Sequence, residues 1–81
     1  MSDLTARQRE IVVLMMDGLS NKEMAERLCI EPSTLKRHRQ NLYHKTGTHD
    51  AAGLIAWGHR WLRIEYIELN RRLHPEEDDG G

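Results

Sequence analysis

The apolar residues near the start of the chain recur at the spacing of an amphipathic helix. They are Ile11, Val12, Leu14 and Met15. Thr5 and Gln8 precede them as a capping box, in which each side chain bonds a backbone N–H of the first turn. Gly18 follows them and suits the left-handed residue that ends many helices. The pattern therefore predicts a first helix over about residues 6–17.

A second capping box, Ser20 with Glu23, comes directly after this helix. The apolar stripe behind it is formed by Met24, Ala25 and Leu28, which predicts a second helix over about residues 21–28. The three residues 29–31 interrupt the pattern. We expect the first of them, Cys29, to be a small buried apolar residue.

The third predicted helix is mostly polar. It begins at Pro32, because proline suits the first position of a helix, and ends at Gly47, which gives about residues 32–46. Its few apolar residues are Leu35, Leu42 and Tyr43, with His38 on the same side. A stripe this narrow packs along one edge and leaves the rest of the helix open. Joined to the second helix by a short turn, it predicts a helix-turn-helix motif.

The last apolar pattern is longer than one core requires. Asp50 can cap a helix at Ala51, and no strong breaker precedes Pro75, so one helix over about 51–73 is predicted. One stripe on it is formed by Leu54, Trp57, Trp61 and Ile64. A second, displaced around the helix, is formed by Ile55, Leu62, Tyr66, Leu69 and Leu73. One stripe suffices to dock on the preceding helices.

The second stripe would be exposed in a monomer and therefore indicates a homodimer formed helix to helix. The residues we assign to that interface are Leu54, Trp57, Gly58, Trp61, Leu62 and Tyr66. The alternative is that both stripes wrap into a single core.

With 81 residues the chain is long enough for one domain, over residues 1–74, which we expect to be all-α. No stretch approaches the roughly 20 apolar residues of a membrane span, and the N-terminus lacks a signal-peptide pattern. The single cysteine fits a reducing cytoplasm, so a cytoplasmic, nucleoid-associated protein without membrane contact is expected. Residues 75–81 (PEEDDGG) are typical of an acidic disordered tail.

The charge is unevenly distributed. The formal net charge is −1, but four of the acids are consecutive at 76–79. The segment from Pro32 to His49 contains four Lys or Arg residues and no acid: Lys36, Arg37, Arg39 and Lys45. A local basic surface governs attraction to phosphate more than the total charge does. The alternative is a merely solvated helix face.

The sequence contains no motif for catalysis: it has no Gly-rich phosphate loop, no paired carboxylates and no nucleophile with an evident base. Three histidines, His38, His44 and His49, lie in the basic segment, but no Cys pair or fourth ligand accompanies them as in a zinc site. We therefore expect neither an enzyme nor a bound metal or cofactor.

Three segments at a fixed separation carry a known pattern: LTARQRE at 4–10, GLSNKEMA at 18–25 and TLKRH at 34–38. They resemble the LuxR/GerE-type helix-turn-helix domain of bacterial transcription regulators, and the resemblance covers about residues 4–62. The chain has no room for the receiver or sensor domain that commonly precedes this module, so we expect either a short, stand-alone member or an excised domain. The resemblance implies a tetrahelical domain, here with an extended C-terminal helix. It also implies a third helix in the major groove and a fourth helix that forms dimers on inverted repeats at promoters.

By this resemblance, the residues that face the DNA bases are Lys36, Arg37 and Gln40. Their chemistry agrees, because Lys and Arg donate to the O6 and N7 of guanine and Gln pairs with adenine. Phosphate contacts are expected near helix ends, from Ser20, Asn21, Lys22, Ser33, Thr34, His44 and Lys45. The chain departs from the family pattern at Glu31, where a Ser often caps the third helix, and at Arg39, where Val or Leu is usual. Either the packing differs at Arg39, or Arg39 joins the DNA face and is a further candidate for DNA contact.

Two other functions compete with a dimeric regulator of double-stranded DNA. A module like region 4 of a sigma factor, which has a similar RQREI pattern, binds a promoter and RNA polymerase together. It normally ends soon after its recognition helix, whereas this chain continues. A pure protein interaction module would present the hydrophobic last helix, but it would leave the basic third helix unexplained. RNA polymerase or another regulator is a further candidate partner.

Overall fold

The computed structural model describes residues 4–73, which form five α-helices. Their bounds are α1 Ala6–Met16, α2 Asn21–Leu28, α3 Pro32–Thr46, α4 Ala51–Trp61 and α5 Arg63–Leu73. No strand occurs within residues 4–73, so the predicted all-α class is confirmed. None of the described helices has the length and apolar character that crossing a membrane requires. The acidic tail predicted at 75–81 lies outside the described residues.

Local capping signals fix where the first two helices begin. Thr5 Oγ1 accepts from the backbone N–H of Gln8 at 3.1 Å, and Gln8 Oε1 accepts from the N–H of Thr5 at 3.0 Å. Ser20 and Glu23 repeat the exchange at 3.1 and 2.7 Å. Each box satisfies two donors that a helix start otherwise leaves unpaired, so both predicted starts are confirmed.

The core is built around α1, which contacts each of the other four helices. Its six consecutive residues Ile11–Met16 are all buried. A helix that is apolar around its whole circumference must be enclosed, and here the other helices enclose it. From α2 and α3 the core receives Met24, Leu28, Leu35 and Leu42.

The helix predicted over 51–73 is two helices, because the chain bends at Leu62 (φ −121°, ψ 29°). Leu62 itself is only 4% exposed. Beyond the bend, α5 lies against α1, and Asn70 Nδ2 donates to Asp17 Oδ1 at 3.0 Å. The half-buried residues that α5 packs against the core are Tyr66, Leu69 and Leu73. The bend thus brings the second apolar stripe onto the core. A straight helix would have carried that stripe past the core.

Burial within the chain corrects the predicted dimer interface. Leu54, Gly58 and Leu62 lie in the chain's own core and present no surface to a partner. Trp57 and Tyr66 are partly buried against the same core. Of the six predicted residues only Trp61 stays largely exposed (59%), and the other exposed large apolar side chains of residues 4–73, Ile64 (71%) and Ile67 (43%), were not among them. The exposed apolar surface is therefore smaller than predicted, and it begins near the bend.

Cys29 also departs from expectation. It is exposed rather than buried, and it holds a left-handed conformation (φ 57°, ψ 45°) as the C-cap of α2. The N–H of the next residue, Ile30, donates to the carbonyl of Ala25 at 3.0 Å. This pattern ends a helix tightly and reverses the chain, so Cys29 begins the turn that connects α2 to α3.

Candidate nucleic-acid interface

α3 is embedded along one edge and open along the other. Leu35 and Leu42 form the buried edge, while Lys36, Arg37 and Gln40 are exposed. The helix packs on α1, α2 and α4, which leaves its other face to solvent. The structure therefore presents the three residues predicted to contact bases together on one exposed face of α3.

The exposed face of α3 has unused hydrogen-bonding capacity. Within residues 4–73, the side chains of Lys36, Arg37 and Gln40 make no hydrogen bond or ion pair with the protein. No acid occurs in the helix, so nothing along it neutralises its cations. Long basic side chains without internal partners are suited to donate to an external polyanion.

The first turn of α2 lies beside this helix. Its cap, Ser20, is occupied by the exchange with Glu23, whereas the backbone N–H groups of Asn21 and Lys22 have no acceptor among residues 4–73. Both side chains are exposed. Free N–H groups and the positive end of a helix dipole favour an anion.

A cavity of about 390 Å³ joins the two helices of the motif. Its polar lining residues are Asn21, Lys36, Arg39, Gln40 and Tyr43, and no carboxylate lines it. A predicted phosphate contact, Asn21, thus shares one concave surface with two predicted base contacts, Lys36 and Gln40. The sequence did not indicate this cavity, because it depends on how α2 packs against α3.

At the start of α3, Glu31 is the N-cap but makes no side-chain capping bond, in line with its being a poorer cap than Ser. Pro32 occupies the first turn, where its missing N–H costs nothing. Ser33 is exposed and Thr34 is half-buried, so both lie at the helix end where phosphate contacts were predicted.

The two basic residues in the last turn of α3 are held differently. His44 is exposed in the last turn. Lys45 instead donates from Nζ to Oε1 of Gln8 at 3.0 Å, and so connects the end of α3 to the capping box of α1. Sequence reasoning assigned Lys45 to phosphate alone and missed this connection, because the two residues are 37 positions apart.

Arg39 is half-buried between α2 and α3 instead of extending into solvent. One terminal nitrogen donates to Oδ1 of Asn21, and the other donates to the hydroxyl of Tyr43 at 2.8 Å. Its guanidinium carbon lies 5.9 Å from the centre of the Tyr43 ring. The arginine at a position where an apolar residue is usual therefore bridges the two helices of the motif.

No metal centre forms from the described histidines. Among residues 4–73 no three His, Cys, Asp or Glu side chains come together as a metal ion would require.

The chain is similar over most of its length to known transcription regulators. The family model described as bacterial regulatory proteins, luxR family, matches residues 2–57. "Transcriptional regulatory protein MctR" of Rhizobium johnstonii is 48% identical over 54 residues, which are 67% of this chain and 25% of that protein. "Probable transcriptional regulatory protein SgaR" of Hyphomicrobium methylovorum is 32% identical over 74 residues, 91% of this chain and 31% of that protein.

The "Fimbriae Z protein" of Salmonella typhimurium is 38% identical over 55 residues, which are 65% of this chain and 26% of that protein. The chain thus spans between a quarter and a third of the length of these relatives. No solved structure matches it significantly. The family match ends within α4, so it covers α1, the helix-turn-helix and the first part of α4. The chain belongs to the LuxR family of bacterial regulatory proteins, a family of DNA-binding transcription regulators with a helix-turn-helix.

Proposed function

We propose that this chain binds double-stranded DNA sequence-specifically as a homodimer, with α3 in the major groove of each half of an inverted repeat at a promoter. The observation that carries the proposal is the exposed, acid-free face of α3, on which the side chains of Lys36 and Arg37 make no hydrogen bond or ion pair among residues 4–73. An α-helix fits the major groove, where each base pair has a distinct pattern of donors and acceptors.

Specificity is assigned to Lys36, Arg37 and Gln40. Lys36 and Arg37 donate to guanine, and Gln40 pairs with adenine through its amide. The three side chains are exposed on one face, so they reach neighbouring bases together. Each contact of this kind is worth about 1–3 kcal/mol of discrimination against a wrong base.

Register and affinity come from phosphate contacts at the ends of α2 and α3. Asn21 and Lys22 offer unpaired backbone N–H groups at the start of α2. Ser20 adds a hydroxyl there, and Ser33 and Thr34 do so at the start of α3. His44 and Lys45 contact the phosphate backbone of the DNA from the end of α3. Such contacts position the protein without reading the sequence.

Dimer formation is assigned to the exposed apolar residues near the bend between α4 and α5. Trp61 and Ile64 are the most exposed large apolar side chains of residues 4–73. In a dimer that reads two half-sites, the two α3 helices lie about 34–36 Å apart, one turn of DNA. The protein acts with its DNA in the bacterial cytoplasm.

Selection of duplexes from a random library tests this function. We expect enrichment of an inverted repeat, protection of both half-sites, and a bound complex with the mass of a dimer. Enrichment of no sequence would overturn DNA recognition. A monomer bound to a single half-site would overturn the dimer. Trp61 and Ile64 would then be candidates for contact with RNA polymerase or another regulator.

A further inference from the structure

Arg39 is the one cation of α3 whose charged group is used inside the protein as a bridge to α2. It donates to Asn21 Oδ1 in the first turn of α2 and, at 2.8 Å, to the hydroxyl of Tyr43 on α3. Its Nε is buried and has no acceptor among residues 4–73. No carboxylate within those residues lies at ion-pair distance from it. Half-burying a cation without a counter-charge costs free energy, so stability alone does not account for this arrangement.

The bridge determines which end of the Asn21 side chain is available to a ligand. An asparagine amide can present either an acceptor oxygen or a donor NH₂ group, whereas a guanidinium can only donate. Arg39 therefore takes Oδ1. The Nδ2 group is then held on the other side of the amide, and it has no acceptor among residues 4–73.

A phosphate can only accept, so it bonds to the Nδ2 side of the amide and is repelled by the Oδ1 side. Asn21 is exposed, and its own backbone N–H is unpaired within the described residues. One residue thus offers two N–H groups at the start of α2. The side-chain donor is available only while the amide keeps this orientation.

We infer that Arg39 is a positioning residue for DNA binding: by donating to Oδ1 of Asn21, it holds that amide with Nδ2 outward as a donor to a DNA phosphate. The inference rests on the proposed function. It gives Arg39 a role different from the direct DNA contact expected from the sequence, because the guanidinium acts through Asn21.

A double-mutant cycle on a duplex selected by the wild-type protein tests the inference. Asn21→Ala removes the donor and is expected to weaken binding about tenfold per half-site. Arg39→Leu frees the amide and is expected to weaken binding about three- to tenfold per half-site, the range for losing one fixed side-chain orientation. In the Asn21→Ala background Arg39→Leu should cost at least threefold less than in the wild type. Whatever loss remains there reports the charge of Arg39 together with its contacts with Tyr43.

Equal losses from Arg39→Leu in both backgrounds would overturn the positioning role and indicate that Arg39 contacts DNA itself. In that case the slope of log K against log salt would also fall by about one phosphate contact. Arg72→Leu, an exposed arginine at the end of α5, is the matched control and should change neither quantity. Circular dichroism checks folding; if Arg39→Leu is unfolded, Arg39→Met takes its place in the cycle.

A second readout needs no DNA. In the NMR spectrum of the wild type, the two Nδ2 proton signals of Asn21 should be shifted from the positions typical of a solvent-exposed asparagine, because the amide is held about its Cβ–Cγ bond, and Arg39→Leu should return them to those positions. Signals of Asn21 at the solvent-exposed positions in the wild type would overturn the inference. If the wild type selects no duplex, both the proposed function and the positioning role of Arg39 are overturned. If the wild type binds DNA and Arg39→Leu weakens binding equally in both backgrounds, only the positioning role of Arg39 is overturned.

Discussion

Lys45, in the last turn of α3, donates from Nζ to Oε1 of Gln8, in the first turn of α1, at 3.0 Å. The same oxygen accepts from the backbone N–H of Thr5 and closes the capping box. One buried amide oxygen therefore holds both the start of the core helix and the end of the helix proposed to enter DNA. The exposed face of α3 is fixed relative to the core at this point.

Gln8→Ala should destabilise the fold, because it removes both bonds at once. We expect a loss of about 1–2 kcal/mol in the free energy of unfolding, the usual range for lost caps and buried hydrogen bonds. Urea denaturation followed by circular dichroism measures it. Glu10→Ala is the control on the same helix. Glu10 is exposed and faces Arg7 at 4.0 Å, a pair worth at most a few tenths of a kcal/mol. Similar losses for the two variants would contradict the role of Gln8.

Gly58 allows α4 to lie close against α1. A Cβ at this position would lie 2.6 Å from Met16 Sδ and 2.8 Å from Val12 Cγ1. Gly58→Ala should therefore destabilise the fold by about 1–3 kcal/mol, as overpacking does. In a Met16→Ala background Gly58→Ala should cost less than it does in the wild type, because the nearest atom is absent. Gly53→Ala, where the nearest atom would be 3.2 Å away, is the matched control and should change stability by less than about 1 kcal/mol. Equal effects at the two glycines would show that the close approach is unimportant.

Cys29 is the one residue other than glycine with positive φ among residues 4–73. The left-handed conformation costs an L-residue roughly 1 kcal/mol that glycine does not pay. Cys29→Gly should therefore raise the free energy of unfolding by about 1 kcal/mol, seen as a higher midpoint in urea. The reverse substitution, Gly18→Ala at φ +89°, should lower it. A loss of stability in Cys29→Gly would mean that the thiol makes a contribution that its exposure does not suggest.

The capped starts of α1 and α2 were predictable because their signals are local: each box lies within four consecutive residues. The exposed face of α3 was predictable for the same reason, since its few apolar residues mark the buried edge. The bend at Leu62 was not predictable, because neither Pro nor Gly stands at that position to mark it. The bend is seen only in how α5 packs against α1, which is a contact between residues far apart in the sequence. The bridge from Arg39 to Asn21 was hidden because it joins polar residues 18 positions apart.

The proposed dimer depends on the apolar surface near the bend. Ile64→Glu should leave the monomer folded, because Ile64 is 71% exposed, and should shift the protein toward monomer by burying a charge in the interface. Sedimentation at several concentrations measures this shift, and affinity for an inverted repeat should fall more than affinity for a single half-site. Arg72→Glu is the charge-changing control on the same helix. An unchanged dimer in Ile64→Glu would place the interface elsewhere.

In the proposed function, α3 reads DNA through Lys36, Arg37 and Gln40. The most direct measurement compares the wild type with Lys36→Ala and Arg37→Ala in their affinity for the selected duplex and for a scrambled duplex at several salt concentrations. We expect each variant to lose about 1–3 kcal/mol of binding free energy on the selected duplex and much less on the scrambled one, so the ratio of the two affinities falls sharply. If both affinities fall equally and the ratio survives, these residues contact only phosphates, and α3 does not read the bases through them.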